Sequence, residues 1–289
     1  MKVLLMGGNG FVGSALFNNA PAHISITPTY CNHPPAEKDG WIQFNLFQAC
    51  DWDSLLSKFD CVIVAARPNG STRRERDEVA RKTNIAFSSM LEARRAMDHP
   101  PHVFAVHGTL SYGDCGPSIV NTSQPYNPVG YATSYGIGES PLRTAAMDGE
   151  LGVIRAPWIL GNGSWFNDLY LTNAPPLLPN QPIWMSVVEV NDLAQQIWQQ
   201  IELGTTGIVH PQLMVRTTQE RFAKTVGKVR QLEPSALGKW HLFRRYDRQT
   251  RQSILASVRL SSLPEEDVEG QEAHQRLEEA IQSLLAGRS

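Results

Sequence analysis

The residues nearest the start of the chain whose types and spacing imply chemistry are three glycines, Gly7-x-x-Gly10-x-x-Gly13. They follow the apolar run Val3-Leu4-Leu5-Met6 directly and open a helical stretch over residues 11–18. Glycines placed between a strand and a helix suit a dinucleotide. The first permits a sharp turn, the second lets the pyrophosphate approach the backbone, and the third lets helix and strand pack closely. The helix N-terminus then offers N–H groups and its positive dipole end to the phosphates. Gly7, Asn9, Gly10, Phe11, Val12 and Gly13 are therefore candidate cofactor-binding residues. About 20 residues further on, an NAD-selecting site carries Asp or Glu for the ribose 2′-hydroxyl. Here the tip of the second expected strand reads Tyr30-Cys31-Asn32-His33, with no acid before Glu37. That absence removes a repulsion against a 2′-phosphate, and Asn32, His33 and Lys38 are placed to approach one. NADP is favoured, with NAD as the alternative cofactor; the same residues also suit a solvated loop.

Elements must hold that turn in place. Apolar runs recur at residues 2–6, 24–30, 41–46, 61–66, 102–107 and 152–156, and helical stretches at 11–18, 52–58, 75–97 and 131–147 separate them. Apolar strands alternating with helices predict an α/β fold, a doubly wound parallel sheet of the Rossmann type covered on both faces. After residue 156 prolines and aromatics accumulate, which predicts a dinucleotide-binding domain over 1–156 and a smaller C-terminal substrate lobe over 157–289, partly interleaved with the first. A last helix over about 271–285 places Ala273, Leu277, Ile281 and Leu284 on one stripe and is expected to dock on that lobe. The chain has 289 residues, 42% hydrophobic and 19% charged, with a net charge of −2. That balance gives no basic field for nucleic acid, so no nucleic-acid partner is expected. No apolar run approaches the roughly 20 residues that span a bilayer, so no membrane association is expected. The apolar run at the N-terminus is too short for a secretory signal, and Cys31, Cys50, Cys61 and Cys115 form no C-x-x-C pair, which suits a reducing, cytoplasmic location.

Further landmarks occur in order. Met6 to Gly13 reads M-G-G-N-G-F-V-G, Asn45-Leu46 ends the third apolar run, and Ala65-Ala66 ends the fourth. Asn84 lies within the next helical stretch, Ser111-Tyr112-Gly113 follows the central run, Arg155-Ala156-Pro157 comes later, and Val190-Asn191-Asp192-Leu193-Ala194 closes the series. Together these resemble the short-chain dehydrogenase/reductase superfamily in its extended or atypical, epimerase/dehydratase-like branch, over about residues 1–227. The resemblance implies cofactor contacts at Asn45, Leu46, Ala65, Ala66, Asn84 and Pro157.

It also implies a Tyr-x-x-x-Lys pair, in which Tyr exchanges a proton with the substrate oxygen while Lys lowers the Tyr pKa and holds the nicotinamide ribose. Tyr131 matches the tyrosine and Glu139 the acid that usually follows, but Tyr135 stands where Lys should be. Without that cation Tyr131 is a poor base at neutral pH and is left with the role of an acid. The family's Ser/Thr position is Gly108, with Thr109 beside it as a substitute. Dehydratases of the family carry Asp-Glu after that Ser/Thr; here Thr109 and Leu110 follow. Epimerisation through a ketone needs a tyrosinate, whereas ketone reduction needs only a hydride and a proton donor. The surviving residues favour reduction, with Tyr131, Thr109, Tyr135 and His107 as the candidate catalytic set; His107, at a strand's C-terminal end, is a reserve proton donor or a structural histidine.

Between Ala156 and Val215 there is no Lys or Arg, although the family builds much of its substrate pocket there. Nucleotide sugars need cations for their pyrophosphate; Arg216, Arg221 and Lys224 are the nearest candidates. Trp158, Trp165, Phe166 and Trp184 occupy the segment instead and suit an aromatic or polycyclic small-molecule ketone, or the lobe's own core. His99, His102, His107 and Cys115 lack zinc spacings, and Pro100-Pro101 exclude a helical ligand pair, so no metal is expected. The leading expectation is an NAD(P)H-dependent ketoreductase. A non-catalytic dinucleotide sensor or assembly factor and a sugar-nucleotide epimerase or reductase stand as alternatives. Gly136, Gly138 and Pro141 weaken the helix the family uses to dimerise, so a monomer or weak homodimer is expected.

Overall fold

The computed structural model describes residues 1–36, 39–172, 174–180, 182–261 and 271–286. Along them run β1 (Lys2–Met6), α1 (Phe11–Asn18), β2 (Ser25–Tyr30), β3 (Ile42–Gln43), α2 (Trp52–Leu56), β4 (Cys61–Val64), α3 (Arg73–Ala96) and β5 (His102–Gly108). A 3-10 turn (Thr109–Tyr112), β6 (Ile119–Val120), α4 (Ala132–Gly138), α5 (Ser140–Met147), β7 (Gly152–Ala156), β8 (Trp158–Leu160), α6 (Phe166–Tyr170) and β9 (Pro176–Leu177) follow. The chain continues through β10 (Trp184–Glu189), α7 (Val190–Glu202), β11 (Gly207–Val209), β12 (Val215–Thr218), α8 (Gln219–Arg230), β13 (Ser235–Ala236), α9 (Lys239–Arg245), α10 (Arg248–Leu255), β14 (Arg259–Leu260) and α11 (Gln271–Ala286). Two compact units result, neither a single stretch of chain. The first comprises Met1–His107, Ser134–Arg155 and Ala194–Val209; the second comprises Gly108–Thr133, Ala156–Leu193 and His210–Ser289.

The first unit is built on a seven-stranded sheet in the order β11-β7-β5-β4-β1-β2-β3. The β1–β2, β1–β4, β2–β3, β4–β5 and β7–β11 pairs are parallel. Each central strand is apolar on both faces, as a sheet covered by helices on either side requires: in β4 Cys61, Val62, Ile63 and Val64 are all buried. The order reverses between β1 and β4, and in a doubly wound sheet the crevice beyond the strand ends at that reversal is where ligands bind. Long α3 starts with a capping box, the Thr72 hydroxyl accepting from the Glu75 N–H while the Glu75 carboxylate accepts from the Thr72 N–H. It ends with Arg94 and Arg95 against the negative dipole end.

Two expected elements differ. The strand over 41–46 pairs with β2 only at Ile42 and Gln43, because the Asn45 side chain accepts the Phe47 N–H at 3.0 Å and turns the chain away. The helix over 131–147 is divided. Tyr131 lies in the turn before α4, its N–H donated to Ser253 Oγ at 3.1 Å, and α4 gives way to α5 at Glu139, where Pro141 sits in the first turn of α5. Proline lacks an N–H that this position would leave unpaired anyway. Gly138 is likewise a packing residue, since a Cβ there would lie 3.0 Å from Thr83 Cβ of α3.

The second unit centres on the sheet β12-β10-β8, with β10 antiparallel to β12 and parallel to β8. Its core gathers Leu160, Phe166, Tyr170, Met185, Phe222 and Ile254, and α11 adds Leu277 and Ile281; the side chains of Ala273 and Leu284 lie outside those described.

The tightest constraint in the first unit is at Gly13, where a Cβ would fall 1.9 Å from the Gly7 carbonyl oxygen. Gly13→Ala should destabilise the protein by about 1–3 kcal/mol, the usual cost of forcing extra volume into a packed site. Thermal denaturation checks this, and a Tm equal to wild type would refute it.

Candidate active site

The glycine turn is fastened from below by β2. The Gly7 N–H donates to Thr29 Oγ1 at 3.0 Å and the Gly8 N–H to the Thr29 carbonyl at 2.9 Å. Gly7 adopts φ +84°, and a Cβ on it would lie 2.7 Å from Ala66 Cα, so the end of β1 touches the segment that follows β4. Gly10 caps α1 in an extended conformation with no side-chain hydrogen bond to the first turn. The leading N–H groups of α1, at Phe11 and Val12, are therefore not occupied by a capping side chain and form a cradle of the kind that takes a phosphate. A Cβ on Gly10 would meet only the Gly7 oxygen, at 3.2 Å, a tight contact but far looser than the 1.9 Å at Gly13, so its absence chiefly keeps open the space before the helix. These residues fit a dinucleotide pyrophosphate. Thr29 is invisible to motif reading; its signal is a hydroxyl-bearing residue inside an apolar strand, just before the expected ribose site.

Beyond β2, Asn9 Nδ2 donates to the His33 carbonyl at 2.7 Å and joins the turn to the next loop. Asn32 and His33 are exposed. Lys38 lies outside the described residues. Leu46 is buried in the core of the first unit and Ala66 packs against it, Ala65 extends β4 through its N–H to the Met6 carbonyl at 3.0 Å, and the Asn84 side chain donates to the Ile137 carbonyl at 2.8 Å.

At the C-terminal ends of β4 and β5 a narrow crevice with room for about 30 Å³ is lined by Ala66, Arg67, Arg76, His107, Tyr135 and Glu139 among others. Tyr135, in place of lysine, lies under the Arg67 guanidinium, which sits 4.5 Å from the ring centre. His107 is buried, its Nδ1 is 3.8 Å from the Glu139 carboxylate, and its Nε2 has no hydrogen-bond partner among the described residues. Burial holds the His107 pKa below the usual value; Glu139 works against that shift, and Arg155, Arg143 and Arg67 reinforce it. The imidazole is therefore neutral at pH 7.

In the second unit the Tyr131 hydroxyl and Thr250 Oγ1 are 2.5 Å apart. Thr250 comes from the start of α10, a position 119 residues away that no motif indicates. Tyr131 packs edge-on to Trp165 with ring centres 6.2 Å apart, and Trp165 to Trp158 at 5.2 Å. Trp165 is 40% exposed, whereas Phe166 is 3% exposed and packs on Trp158, Tyr170 and Phe222. Phe166 is thus a core residue. Trp184 stands apart from this group, its ring covered by the Arg259 guanidinium at 4.2 Å. Thr109 is buried at the start of the 3-10 turn, and Pro157 is buried between β7 and β8. The scarcity of cations between Ala156 and Val215 does not carry into space: Arg259 reaches Trp184, and buried Arg216 of β12 pairs in register with Ser186 of β10. Both lie beyond the cation-free segment in sequence, and the sheet returns them to it.

A family model described as "NAD dependent epimerase/dehydratase family" matches residues 3–154. No curated protein matches the sequence. Among solved structures, a human epimerase family protein with NADPH has a TM-score of 0.74 at 18% identity, covering 98% of this chain and 99% of that one. A dTDP-4-dehydrorhamnose reductase from Clostridium acetobutylicum has a TM-score of 0.72 at 14% identity, covering 99% and 100%. A UDP-N-acetylglucosamine 4-epimerase from Methanobrevibacter ruminantium, in complex with UDP-N-acetylmuramic acid, has a TM-score of 0.71 at 16% identity, covering 99% and 98%. At these identities the likeness is one of fold.

Two outcomes test the site. Gly10→Val should fold as wild type by circular dichroism yet lose NADPH binding in calorimetric titration, because its side chain stands before the α1 N-terminus; undiminished binding would refute the cradle. The second concerns His107, whose folded pKa lies below its unfolded one. The unfolded chain takes up the proton first as pH falls, so the stability that a neutral His107 sustains is complete above about pH 6.5 and declines below it, by at most about 1.4 kcal/mol per pH unit. Urea unfolding of His107→Gln should show a shallower decline between pH 7 and 5 than wild type; parallel curves would exclude this role.

Proposed function

Because the chain belongs to the NAD-dependent epimerase/dehydratase family, we propose that it is an NADPH-dependent reductase of a small-molecule ketone with an apolar, aromatic or polycyclic body. The observation that carries this reading is the Tyr131 hydroxyl held by the Thr250 hydroxyl with no lysine four residues on. A phenol with a hydroxyl partner and no neighbouring ammonium suits a proton donor to a ligand better than a base. The glycine turn, supported by Thr29, takes the pyrophosphate, and the absence of an acid at positions 30–33 favours the 2′-phosphorylated cofactor. When bound there, the reduced nicotinamide would supply a hydride for the carbonyl carbon.

The chain's own residues handle the oxygen. Tyr131 donates its proton as charge develops there, Thr250 donates to the phenol oxygen in turn, and Thr109 offers a second hydroxyl. Water then returns a proton to Tyr131. Tyr135, in the crevice lining, would lie beside the cofactor ribose without supplying charge, and His107, neutral in its crevice, is the reserve donor. Trp158 and Trp165 give the flat surface on which the ketone stacks. Four free cysteines fit a cytoplasmic protein, and we expect a monomer or weak homodimer. Among the described residues no helix is long and apolar enough to cross a membrane.

A sugar-nucleotide ketone is the second reading, favoured by Arg259 against Trp184 and by buried Arg216, since guanidiniums bind pyrophosphates. One assay separates the readings: NADPH consumption with a panel of aromatic, polycyclic and nucleotide-sugar ketones. Tyr131→Phe should retain measurable turnover, losing less than the roughly 10²- to 10⁴-fold that general acid catalysis contributes, and reduction should outpace oxidation of the same alcohol at neutral pH. Tight NADPH binding without turnover of any ketone would replace the enzyme with a dinucleotide sensor.

A further inference from the structure

The helix that should bring a lysine to the cofactor brings Tyr135 instead, yet the crevice beside it is rich in positive charge. Arg67, Arg143 and Arg155 all act on His107, against the single carboxylate of Glu139. His107 itself is neutral and does not offset them. Of the three guanidiniums Arg67 alone belongs to an exposed residue, and it is stationed rather than loose, with its Cζ atom 4.5 Å from the Tyr135 ring centre. Its neighbour in the chain, Ala66, is the residue that Gly7 of the phosphate turn nearly touches, at 2.7 Å from where a Gly7 Cβ would be. The chain thus sets an arginine one residue from the contact that closes the glycine turn, at the reversal point of the sheet.

From this juxtaposition we propose that Arg67, held on the Tyr135 ring, is a phosphate-binding residue of the dinucleotide site and supplies from the end of β4 the positive charge that the helix lacks at position 135. The inference rests on the dinucleotide reading of the glycine turn. Arginine suits this role because its planar fork pairs two donors with a phosphate while its face stacks on an aromatic ring. The aromatic residue at position 135 then has a function of its own, holding the guanidinium by cation–π attraction. A lysine there would occupy the same space and repel it.

The test is calorimetric titration of NADPH into the full chain at low and high salt, with circular dichroism confirming the fold of each variant. Arg67→Gln should weaken binding about tenfold or more and flatten its salt dependence, as the loss of one charge-assisted phosphate contact predicts. Arg67→Lys should recover part of the affinity, and Tyr135→Lys introduced into Arg67→Gln should restore more of it by returning a cation to the crevice. If wild type binds NADPH and Arg67→Gln stays within twofold of it at low salt, Arg67 is not a phosphate ligand while the dinucleotide reading stands. If wild type binds neither NADPH nor NADH, both fall together.

Discussion

The first unit depends on how closely the backbone of the glycine turn passes over itself and over the strand beside it. Gly13 must lie where any side chain would overlap the Gly7 carbonyl, and Gly7 must turn with positive φ against Ala66. Those approaches bring the start of α1 over the end of β1 and the end of β1 against the segment after β4. Two results follow from one geometric demand. The helix N-terminus faces the open end of the sheet, where its dipole is useful, and residues following β4 are delivered to the same place. Arg67 is there for that reason. The hydrogen bonds of Thr29 complete the turn by tying it to β2, so three neighbouring strands converge on one short segment.

Charge in the crevice follows from the same convergence. Helices α3, α4 and α5 enclose the ends of β4 and β5 and leave His107 too dry to hold a proton, with arginines rather than acids as most of its charged company. A buried neutral imidazole with one nitrogen unpartnered among the described residues costs about 1–3 kcal/mol, whereas a buried cation among three guanidiniums would cost several kcal/mol more. The crevice keeps its positive character through the arginines, whose charge does not titrate near neutral pH.

Much of this is legible in the sequence, and the limits have physical causes. Fully buried parallel strands must be apolar on both faces, so β1, β4, β5 and β7 stand out as continuous runs, and a turn that only glycine can make advertises itself. The two-residue strand β3 does not stand out from the longer run around it, because its length is set by the Asn45 side chain and not by hydrophobicity. The division between α4 and α5 reads in sequence as weakness, since a glycine that lets two helices approach looks the same there as one that destabilises a helix. Contacts between distant positions are beyond reach: Thr250 against Tyr131, Arg67 over Tyr135 and Arg259 over Trp184 join elements whose separation along the chain carries no periodic signal. The missing lysine is visible, but nothing near it in sequence points to the arginine that follows β4.

Where the family has a nearby ammonium, Tyr131 meets a second hydroxyl, that of Thr250, 2.5 Å away. An ammonium only donates, whereas a hydroxyl both donates and accepts, so the Tyr131–Thr250 pair keeps its hydrogen bond whichever of the two oxygens supplies the proton between them. An alkoxide is far more basic than a phenolate, so a carbonyl oxygen gaining charge against this pair draws a proton from the phenol, and the Thr250 O–H can then turn to the phenolate. Oxidation of the same alcohol passes through the same states in reverse. The pair therefore serves the movement of the proton, and the balance between ketone and alcohol is left to the cofactor couple and the pH.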